Sequence, residues 1–404
     1  MRSNYKKLGN YIEELSIKNT NLSVETLLGV SIKKVLIPSI ANTIGSDMSK
    51  YKVIKRNQFA YGPVTSRNGD KISIALLVDF DKAIISQSYK VFDVKDKEEL
   101  LPEYLMMWFS RPEFDRYARF MSHGSTRETF DWDEMCEVEL PIPPIEEQQA
   151  IVADYKTVTD RIELNKQINN KLEETAQALY RHWFVDFEFP DENGKSYKSS
   201  GGKLVYNVEL DKEVPEGWKV KQLSKTVTIL NQKRKPISGV IREEMQGPYP
   251  YYGAMGIVDH INKYSFDGTY ILMAEDGIYV TNKNGNPSLQ YVWGQFWVNN
   301  HAHVLEGIGD YSNEMLYLSI QKINVSHLVT GAAQPKINKG NIELIPLINP
   351  KGSVLQDFNR FVKVIFKDIK FNTGQIIRLR TLQSLLLSKM AASISFNESK
   401  SIAL

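Results

Sequence analysis

The chain has 404 residues, 42% hydrophobic and 24% charged, an ordinary composition for a globular protein of two or three domains. Its net charge of +2 does not by itself indicate a nucleic-acid binder, although balanced totals can hide local patches. A single cysteine, Cys136, excludes a disulfide framework and a multi-cysteine zinc site and is typical of a reducing cytoplasm. No apolar run approaches the roughly 20 residues of a membrane span, and the N-terminal residues lack a signal-peptide pattern. We therefore expect a cytoplasmic protein without membrane contact.

Residues 1–143 are predicted to form a globular domain of mixed α/β structure. They contain the β-rich run KISIALLV (71–78) and the helical stretch PEYLMMWFS (102–110). Polar loops at 55–71 and 122–130 carry basic and aromatic side chains, which can neutralise phosphates and read base edges. The candidate DNA contacts here are Lys55, Arg56, Tyr61, Thr65, Arg67, Ser125, Thr126 and Arg127.

The next predicted element is a long helix over residues 144–186. No glycine or proline interrupts the run from Ile145 to Phe184, so at about 1.5 Å per residue the helix would be ~60 Å long. Apolar residues recur at alternating spacings of four and three, which indicates a coiled-coil seam with polar residues in its middle. The seam positions are Ile151, Tyr155, Val158, Ile162, Asn165, Asn169, Leu172, Ala176, Leu179 and Trp183.

Residues 187–213, rich in Gly, Ser, Lys and Asp, are predicted to form an exposed linker. Within it, Gly194-Lys195-Ser196 has the ending of a phosphate-binding loop, but Phe189 stands where the first glycine should be. We therefore interpret these residues as part of the linker and not as a nucleotide site.

Residues 214–350 are predicted to form a second α/β domain. It contains the β-rich runs YILM (270–273) and QYVWGQFWV (290–298), and its loops again combine basic, amide and aromatic residues. The candidate DNA contacts here are Lys233, Arg234, Lys235, Tyr249, Tyr251, Tyr252, Gln334 and Lys336. His301 and His303 could share one face of a strand, but no cysteine or carboxylate pair completes a metal site, so we predict no metal.

A second long helix is predicted over residues 351–392, followed by a tail at 393–404. Its seam has the same alternation and places Asn372 near the middle. Gly374 weakens this helix by about 1 kcal/mol relative to alanine, which leaves room for a local distortion. Because a buried polar residue in a seam can fix its register, Asn165, Asn169 and Asn372 are the candidates for that role.

A weak internal repeat relates the two halves at an offset of 207 residues. The aligned pairs are Gly124 with Gly331, Met135 with Ile342, Val138 with Ile345, Leu140 with Leu347, Pro143 with Pro350, and Asn165 with Asn372. If a pseudo-two-fold axis relates the halves, the long helices must be antiparallel, with one globular domain at each end of a rod. The expected fold is thus mixed α/β, with two similar domains joined by an antiparallel coiled coil.

Motifs for catalysis are absent from the sequence, which contains no G-x-G-x-x-G and no Asp/Asn-Pro-Pro-aromatic run for amino-methyl transfer. Several other runs resemble specificity (S) subunits of type I restriction-modification systems. The helix start LPIPPIEEQQAIV (140–152) does so most strongly, with LYRHWFVDFEFP (179–190), KSSGGKLV (198–205) and VPEGWKV (214–220). The segments at 58–77 and 104–125 look like one version of the first target-recognition domain. The segments at 249–256, 300–305 and 331–338 match the second domain more loosely.

This resemblance implies a non-catalytic DNA reader of an interrupted, two-part target. Each target-recognition domain would read one half-site, and the paired helices would set the spacing between the half-sites. The family works with two methylation (M) subunits, which use S-adenosylmethionine to methylate adenine, and with restriction (R) subunits, which use ATP and Mg²⁺. By resemblance the chain itself binds no cofactor and acts near the nucleoid of a bacterial or archaeal cytoplasm.

Two other readings stay open on the residues alone. A coiled-coil assembly scaffold explains the seams, but it leaves the duplicated domains with Arg, Gln and Tyr loops without a purpose. A fused restriction-methyltransferase is disfavoured by the chain length and by the absence of a methyl-transfer motif.

Overall fold

The chain divides into two units of similar size. The computed structural model describes residues 5–39, 45–66, 68–124, 127–331 and 333–390. Unit 1 comprises Met1–Asn165 with Gln375–Leu404, and unit 2 comprises Lys166–Gly374. Both boundaries lie inside long helices, so each unit contains one globular part and a portion of both helices.

The strands of unit 1 form two four-stranded sheets and one two-stranded ribbon. The strands are β1 (Tyr5–Lys7), β2 (Ile12–Leu15), β3 (Leu27–Val30), β4 (Leu36–Pro38), β5 (Lys52–Lys55), β6 (Phe59–Tyr61), β7 (Ile74–Leu76), β8 (Lys82–Ile85), β9 (Lys90–Val94) and β10 (Glu139–Pro141). One sheet has the order β2-β9-β6-β7, the other has the order β4-β3-β8-β5, and β1 pairs with β10.

Among its described residues, unit 1 also contains three short α-helices and parts of both long ones. They are α1 (Pro102–Phe109), α2 (Pro112–Phe120), α3 (Trp132–Cys136), the first part of α4 (Ile145–Phe184) and the end of α8 (Val354–Lys389). Pro102 and Pro112 each occupy a first helical turn, where the missing N–H is not needed and the fixed φ favours helix entry. The core contains stacked Phe59 and Phe92, whose ring centroids are 4.7 Å apart, with the edge of Phe109 against them.

The strands of unit 2 form one six-stranded sheet and two ribbons. The strands are β11 (Leu204–Asn207), β12 (Lys212–Pro215), β13 (Lys219–Gln222), β14 (Val227–Ile229), β15 (Gln246–Gly253), β16 (Gly256–Ile261), β17 (Phe266–Ala274), β18 (Leu289–Val298), β19 (Ala302–Gly307) and β20 (Pro346–Asn349). The large sheet has the order β14-β19-β17-β18-β15-β16, while β11 pairs with β12 and β13 with β20.

The helices that follow in the chain are α5 (Gly239–Glu244), α6 (Asn313–Ile320), α7 (Lys339–Glu343) and α8 (Val354–Lys389). The predicted linker is partly buried in unit 2, which corrects the expectation of an exposed segment. Phe187 and Phe189 are buried, and the ring of Phe189 stacks between Tyr197 and Trp218. The Asp191 carboxylate accepts hydrogen bonds from the backbone N–H groups of 193 and 195, so it closes a turn.

The two long helices are antiparallel within each unit. In unit 1, Asn165 bonds to Gln375 and Thr159 bonds to Gln383, so the partners move in opposite directions along α4 and α8. In unit 2, Asn169 Nδ2 donates to Thr373 Oγ1 over 3.1 Å. The prediction of long antiparallel helices in a mixed α/β protein is therefore confirmed.

The structure shows which residues face the asparagines that are candidates for fixing the register. Asn165 and Asn169 are paired across the seam, but with Gln375 and Thr373, and Asn372 is the partner of neither. The internal repeat aligns Asn165 with Asn372 in the sequence. Which residue of α8 faces Asn165 depends instead on how the two antiparallel helices are staggered. Gly374 lies inside α8, which continues through it without a break.

The two units repeat the same exit from the globular part into a long helix. In unit 1, Lys6 of β1 faces Leu140 of β10, and in unit 2, Lys221 of β13 faces Leu347 of β20. The aligned apolar pairs of the predicted repeat, such as Val138 and Ile345, are buried in their own units. Among the described residues, no helix is long and apolar enough to cross a membrane.

Candidate nucleic-acid interface

A short hairpin precedes α3 in unit 1. The backbone groups of His123 and Thr129 exchange two hydrogen bonds of 3.0 and 2.9 Å across it. Gly124 has φ +137°, and a Cβ on it would lie 2.2 Å from the carbonyl oxygen of Arg127. Only glycine fits both the dihedral angle and the close backbone approach, so the sequence requires glycine at this corner.

Beside this hairpin lies an open cavity with a volume of about 320 Å³, and the exposed side chain of Arg127 is part of its lining. Asn68, Ser88 and Tyr89 also line it, together with backbone at Gly62 and neighbouring apolar residues. A guanidinium, an amide, a hydroxyl and a phenol in one hollow can offer donors and acceptors to phosphates or base edges. The sequence reasoning missed Asn68, Ser88 and Tyr89, although the polar-aromatic run 86–90 resembles the loops it singled out.

The structure corrects two of the DNA contacts predicted for unit 1. Tyr61 is fully buried, packs its ring against Phe92 and Phe130, and has a raised pKa because of that burial. Thr65 is buried and donates from Oγ1 to the carbonyl oxygen of Glu128 over 3.2 Å. Neither side chain is available to a duplex.

The other predictions for unit 1 have different outcomes. Lys55 is exposed at the end of β5, and Arg56 is exposed but bonded to the Asp81 carboxylate, with Nε to Oδ1 at 3.0 Å. Arg67, Ser125 and Thr126 lie outside the described residues.

Unit 2 contains a matching hairpin before α7. Thr330 and Lys336 exchange two backbone hydrogen bonds of 2.8 Å, and Gly331 has φ +86°. A Cβ on Gly331 would lie 2.5 Å from the carbonyl oxygen of Gln334, the same close approach as in unit 1. The side chains of Gln334 and Lys336 are exposed on this hairpin.

Glu275 is the centre of an ion-pair network at the end of β17. Arg234 Nη1 lies 2.6 Å from its Oε2, and Lys336 Nζ lies 3.0 Å from its Oε1. The side chains of Arg234 and Glu275 are each only 12% exposed. Arg234 also donates to the carbonyl oxygens of Asn300 and Ala302, so it braces the loop from within. The prediction that Arg234 contacts DNA is therefore corrected, because its guanidinium faces inward.

His303 extends this network into the core of unit 2. It is 1% exposed, Nε2 lies 2.8 Å from the carbonyl oxygen of Ile337, and Nδ1 lies 2.8 Å from the side-chain nitrogen of Asn231. One donor and one acceptor role suit the neutral ring, with the proton on Nε2. Burial lowers the pKa of His303 and outweighs the nearby Glu275 carboxylate, which opposes this shift.

The pKa of the Glu275 carboxyl group is also lowered, but here burial is the effect that opposes the shift. Burial alone would raise its pKa, but hydrogen bonds from Arg234 and Lys336, with the charges of His303 and Arg234, outweigh that effect and hold the pKa below its ordinary value. Glu275 therefore remains ionised beneath the surface and holds the ammonium group of the exposed Lys336 side chain.

Asp276 and His301 form a second pair beside this network, with Asp276 Oδ1 2.7 Å from His301 Nδ1. Asp276 also forms an isolated backbone bridge with Lys336, so the Asp276–His301 pair and the Lys336 residue belong to the same edge. These groups together can accept from cytosine N4 and donate to purine acceptors. Sequence reasoning considered His301 only as a metal ligand and missed Asp276, since their pairing depends on the β17–β19 register.

The remaining candidates of unit 2 differ in exposure. Tyr251 is buried with its ring beneath the Arg242 guanidinium, so the prediction that it contacts DNA is corrected. Tyr249 and Tyr252 are half-buried, and burial raises the pKa of Tyr252. Lys233 and Lys235 are exposed on either side of Arg234 and present their ammonium groups to solvent.

The comparison with protein families decides what these surfaces belong to. The sequence model described as the type I restriction modification DNA specificity domain matches residues 34–174 and 215–380, more than half of the chain. The chain belongs to this specificity family. Each matched region contains one of the two hairpins and one of the candidate surfaces, so both halves carry the family's domain.

Individual relatives agree with this assignment. The specificity subunit of type I restriction enzyme MjaIX from Methanocaldococcus jannaschii is 28% identical over 307 residues, 73% of this chain and 69% of the relative. The HindI specificity subunit from Haemophilus influenzae is 23% identical over 411 residues, 84% of this chain and 86% of the relative. The S subunit structure from M. genitalium covers 96% of this chain and 95% of its own, at 15% identity and a TM-score of 0.56, which supports the fold.

As a specificity subunit, the chain recognises a DNA target and is a non-catalytic component of a type I restriction-modification system. It works with methylation and restriction partners. Within the part of the chain that the structure describes, no group of three or more His, Cys, Asp or Glu side chains is arranged to hold a metal ion.

Proposed function

We propose that unit 1 and unit 2 each read one half of an interrupted DNA target. The observation that carries this proposal is the duplicated local scheme, in which each unit places a glycine hairpin and a polar surface beside the same exit into a long helix. The sheets themselves differ between the units, since one has two four-stranded sheets and the other a six-stranded sheet. A shared frame with different reading surfaces suits two half-sites of different sequence.

The DNA contacts that we propose are the members of the predicted set that are exposed, half-buried or outside the described residues. They are Lys55, Arg56, Arg67, Ser125, Thr126, Arg127, Lys233, Lys235, Tyr249, Tyr252, Gln334 and Lys336, to which we add Asp276 and His301. Isolated lysines such as Lys233 and Lys235 suit phosphates, whereas the Asp276–His301–Lys336 edge offers the mixed donors and acceptors of base reading.

The antiparallel helices would set the number of base pairs between the half-sites. A helix of 40 residues is ~60 Å long, and this exceeds one turn of B-DNA, about 34 Å. The amide pair Asn165–Gln375 and the amide–hydroxyl pair Asn169–Thr373 would fix the register on which that length depends.

The outer faces of the long helices are where we place the two M subunits. The α4 helix carries exposed charged side chains such as Lys156, Asp160 and Arg181, and α8 carries the exposed apolar side chains Phe361, Val364 and Phe371. These M subunits would use S-adenosylmethionine to methylate adenine, and R subunits would use ATP and Mg²⁺ to cleave unmodified DNA. The complex would act in a bacterial or archaeal cytoplasm.

Selection from random double-stranded DNA tests this function. The chain, with and without an M subunit, should enrich one bipartite sequence with a fixed spacer. An M subunit that gains no sequence selectivity from the chain would contradict the proposal and would favour a scaffold role.

A further inference from the structure

One buried side-chain amide in each unit joins the long helix to the globular part. In unit 1 this residue is Gln148, in the first turn of α4, with no exposed surface. Its Oε1 accepts a hydrogen bond of 2.9 Å from the backbone N–H of Leu101. Its Nε2 donates to the carbonyl oxygens of Glu99 and Pro143, both at 2.8 Å. Two of these three bonds go to the backbone at the entry to α1, and the third goes to the backbone just before α4.

In unit 2 the corresponding residue is Asn359, near the start of α8 and 7% exposed. Its Oδ1 accepts a hydrogen bond of 2.7 Å from Ser312 Oγ, and its Nδ2 donates to the carbonyl oxygen of Asp310 over 2.8 Å. Ser312 is the N-cap of α6, just as Leu101 is the N-cap of α1. An offset of 211 residues relates 99 to 310, 101 to 312 and 148 to 359, which is four more than the 207 of the repeat, so both amides join the same three relative positions of their own units.

We propose that Gln148 and Asn359 are positioning residues that fix each globular part on its long helix and thereby set where each half-site is read. This inference rests on the proposed function and adds to it the residues that hold the reading surface in place.

Three observations favour positioning over generic packing. Each amide is tied to the two positions that lead into a short helix of its globular part: the backbone of Glu99 and Leu101 before α1 in unit 1, and the Asp310 carbonyl and Ser312 hydroxyl before α6 in unit 2. Hydrogen bonds have directions, so they define one orientation where apolar contacts would tolerate several. The arrangement is kept in both units although their sheets differ, as expected for a task that does not depend on the half-site sequence.

Near-isosteric acids test the inference. Gln148→Glu and Asn359→Asp keep the acceptor oxygen but place a carboxylate oxygen against the carbonyl oxygens of Glu99 and Asp310. The matched controls are Gln149→Glu, an exposed neighbour on α4, and Lys363→Gln, an exposed position on α8 with the same change in net charge. The full chain is used in every case, and circular dichroism confirms that each variant is folded.

The probes are duplex pools carrying the two half-sites selected by the wild-type chain, separated by spacers of every length around the wild-type value. We expect each acid variant to accept neighbouring spacer lengths, with the preference for the wild-type length reduced about three- to tenfold and the half-site sequences unchanged. Both controls should keep the wild-type preference. Where Gln148→Glu does not fold, the shorter Gln148→Asn and the independent Asn359→Asp carry the test.

Two results would overturn the inference while leaving the proposed function intact. One is an unchanged spacer preference in folded acid variants. The other is a changed half-site sequence at the original spacing, since the amide would then shape the reading surface itself. A wild-type chain that selects no bipartite target would instead overturn the proposed function, and the inference would fall with it.

Discussion

Asn165 Nδ2 donates a hydrogen bond of 3.0 Å to Oε1 of Gln375, from a side chain that is 1% exposed. The Oδ1 atom of the same Asn165 is buried and has no hydrogen-bond partner. Below it in the seam of unit 1 lie Val158, Ile162 and Ile376, which form a small apolar cluster. A polar residue is therefore kept where an apolar one would pack, as expected if it specifies register at a cost in stability.

The first prediction concerns that cost. Asn165→Leu removes the unpaired buried oxygen, so we expect the free energy of unfolding to rise by about 1 kcal/mol in urea denaturation followed by circular dichroism. Asn165→Ala, which removes the amide without filling the space, should lower it. A leucine variant that is clearly less stable than wild type would show that the amide stabilises the helix pair.

The second prediction concerns the two glycine hairpins. Gly124→Ala and Gly331→Ala combine a positive φ with a Cβ pressed against a carbonyl oxygen, so each should lower the free energy of unfolding by about 1–3 kcal/mol. The control is Gly69→Ala, where φ is also positive, at +61°, but nothing lies within 4 Å of the added Cβ. Thermal unfolding should rank both hairpin variants below the control. Equal losses at all three glycines would mean that the close backbone approach is unimportant.

The third prediction concerns pH. The pKa of His303 in the folded chain lies below the ordinary histidine pKa of 6.5. As the pH falls below 6.5, the unfolded chain therefore binds a proton at this residue that the folded chain does not bind. The free energy of unfolding should therefore fall as the pH is lowered from 7.5 to 5.5, by at most about 1.4 kcal/mol per pH unit from this group. Glu275, whose pKa is also lowered, should add a further loss only below about pH 4.5, its ordinary range.

Replacement of His303 isolates its part in this pH dependence. His303→Gln should flatten the stability profile between pH 7.5 and 5.5, whereas His327→Gln, at an exposed histidine of the same unit, should leave it unchanged. The measurement is the urea midpoint at each pH. Parallel profiles for wild type and the His303 variant would contradict a buried neutral imidazole.

The fourth prediction concerns the run 233–235, in which Arg234 should stabilise the fold and Lys233 and Lys235 should contact DNA. Arg234→Ala leaves Glu275 less well paired and should lower the free energy of unfolding by about 3 kcal/mol. Lys235→Ala should leave stability unchanged, weaken binding to all duplexes alike, and reduce the slope of log affinity against log salt by about 1. A filter-binding titration over salt concentration decides the second point. Unchanged slopes for both Lys233→Ala and Lys235→Ala would remove this run from the interface.

The sequence was sufficient for the features that depend on local periodicity. The uninterrupted heptad pattern predicted α4, and a matching pattern predicted α8, because long apolar seams are specified by residues close in the chain. The paired glycines Gly124 and Gly331 were also visible, since both corners need a residue without a side chain.

Features that depend on tertiary packing were not predictable in this way. Tyr61 belongs to a polar, basic run, yet it lies on β6, and its burial follows from the aromatic residues of other elements. Arg234 points inward because its guanidinium forms an ion pair with Glu275, which lies at the end of a strand far away in the sequence. The partner of Asn165 depends on helix stagger, which a sequence repeat does not encode. Chemistry-bearing residue types were therefore visible in the sequence, but their exposure was not.

Adenine-methylation mapping of DNA after a matched deletion in both long helices tests directly whether these helices set the spacer between the half-sites. Removing residues 158–164 and 377–383 takes one heptad from each helix, keeps the seam in phase and leaves the Asn165–Gln375 pair in place. Seven residues correspond to about 10 Å of helix, close to the rise of about three base pairs. If the helices set the spacing, we expect the same two half-site sequences with a spacer shortened by about three base pairs. Altered half-site sequences, or an unchanged spacer in a folded and active complex, would contradict this expectation.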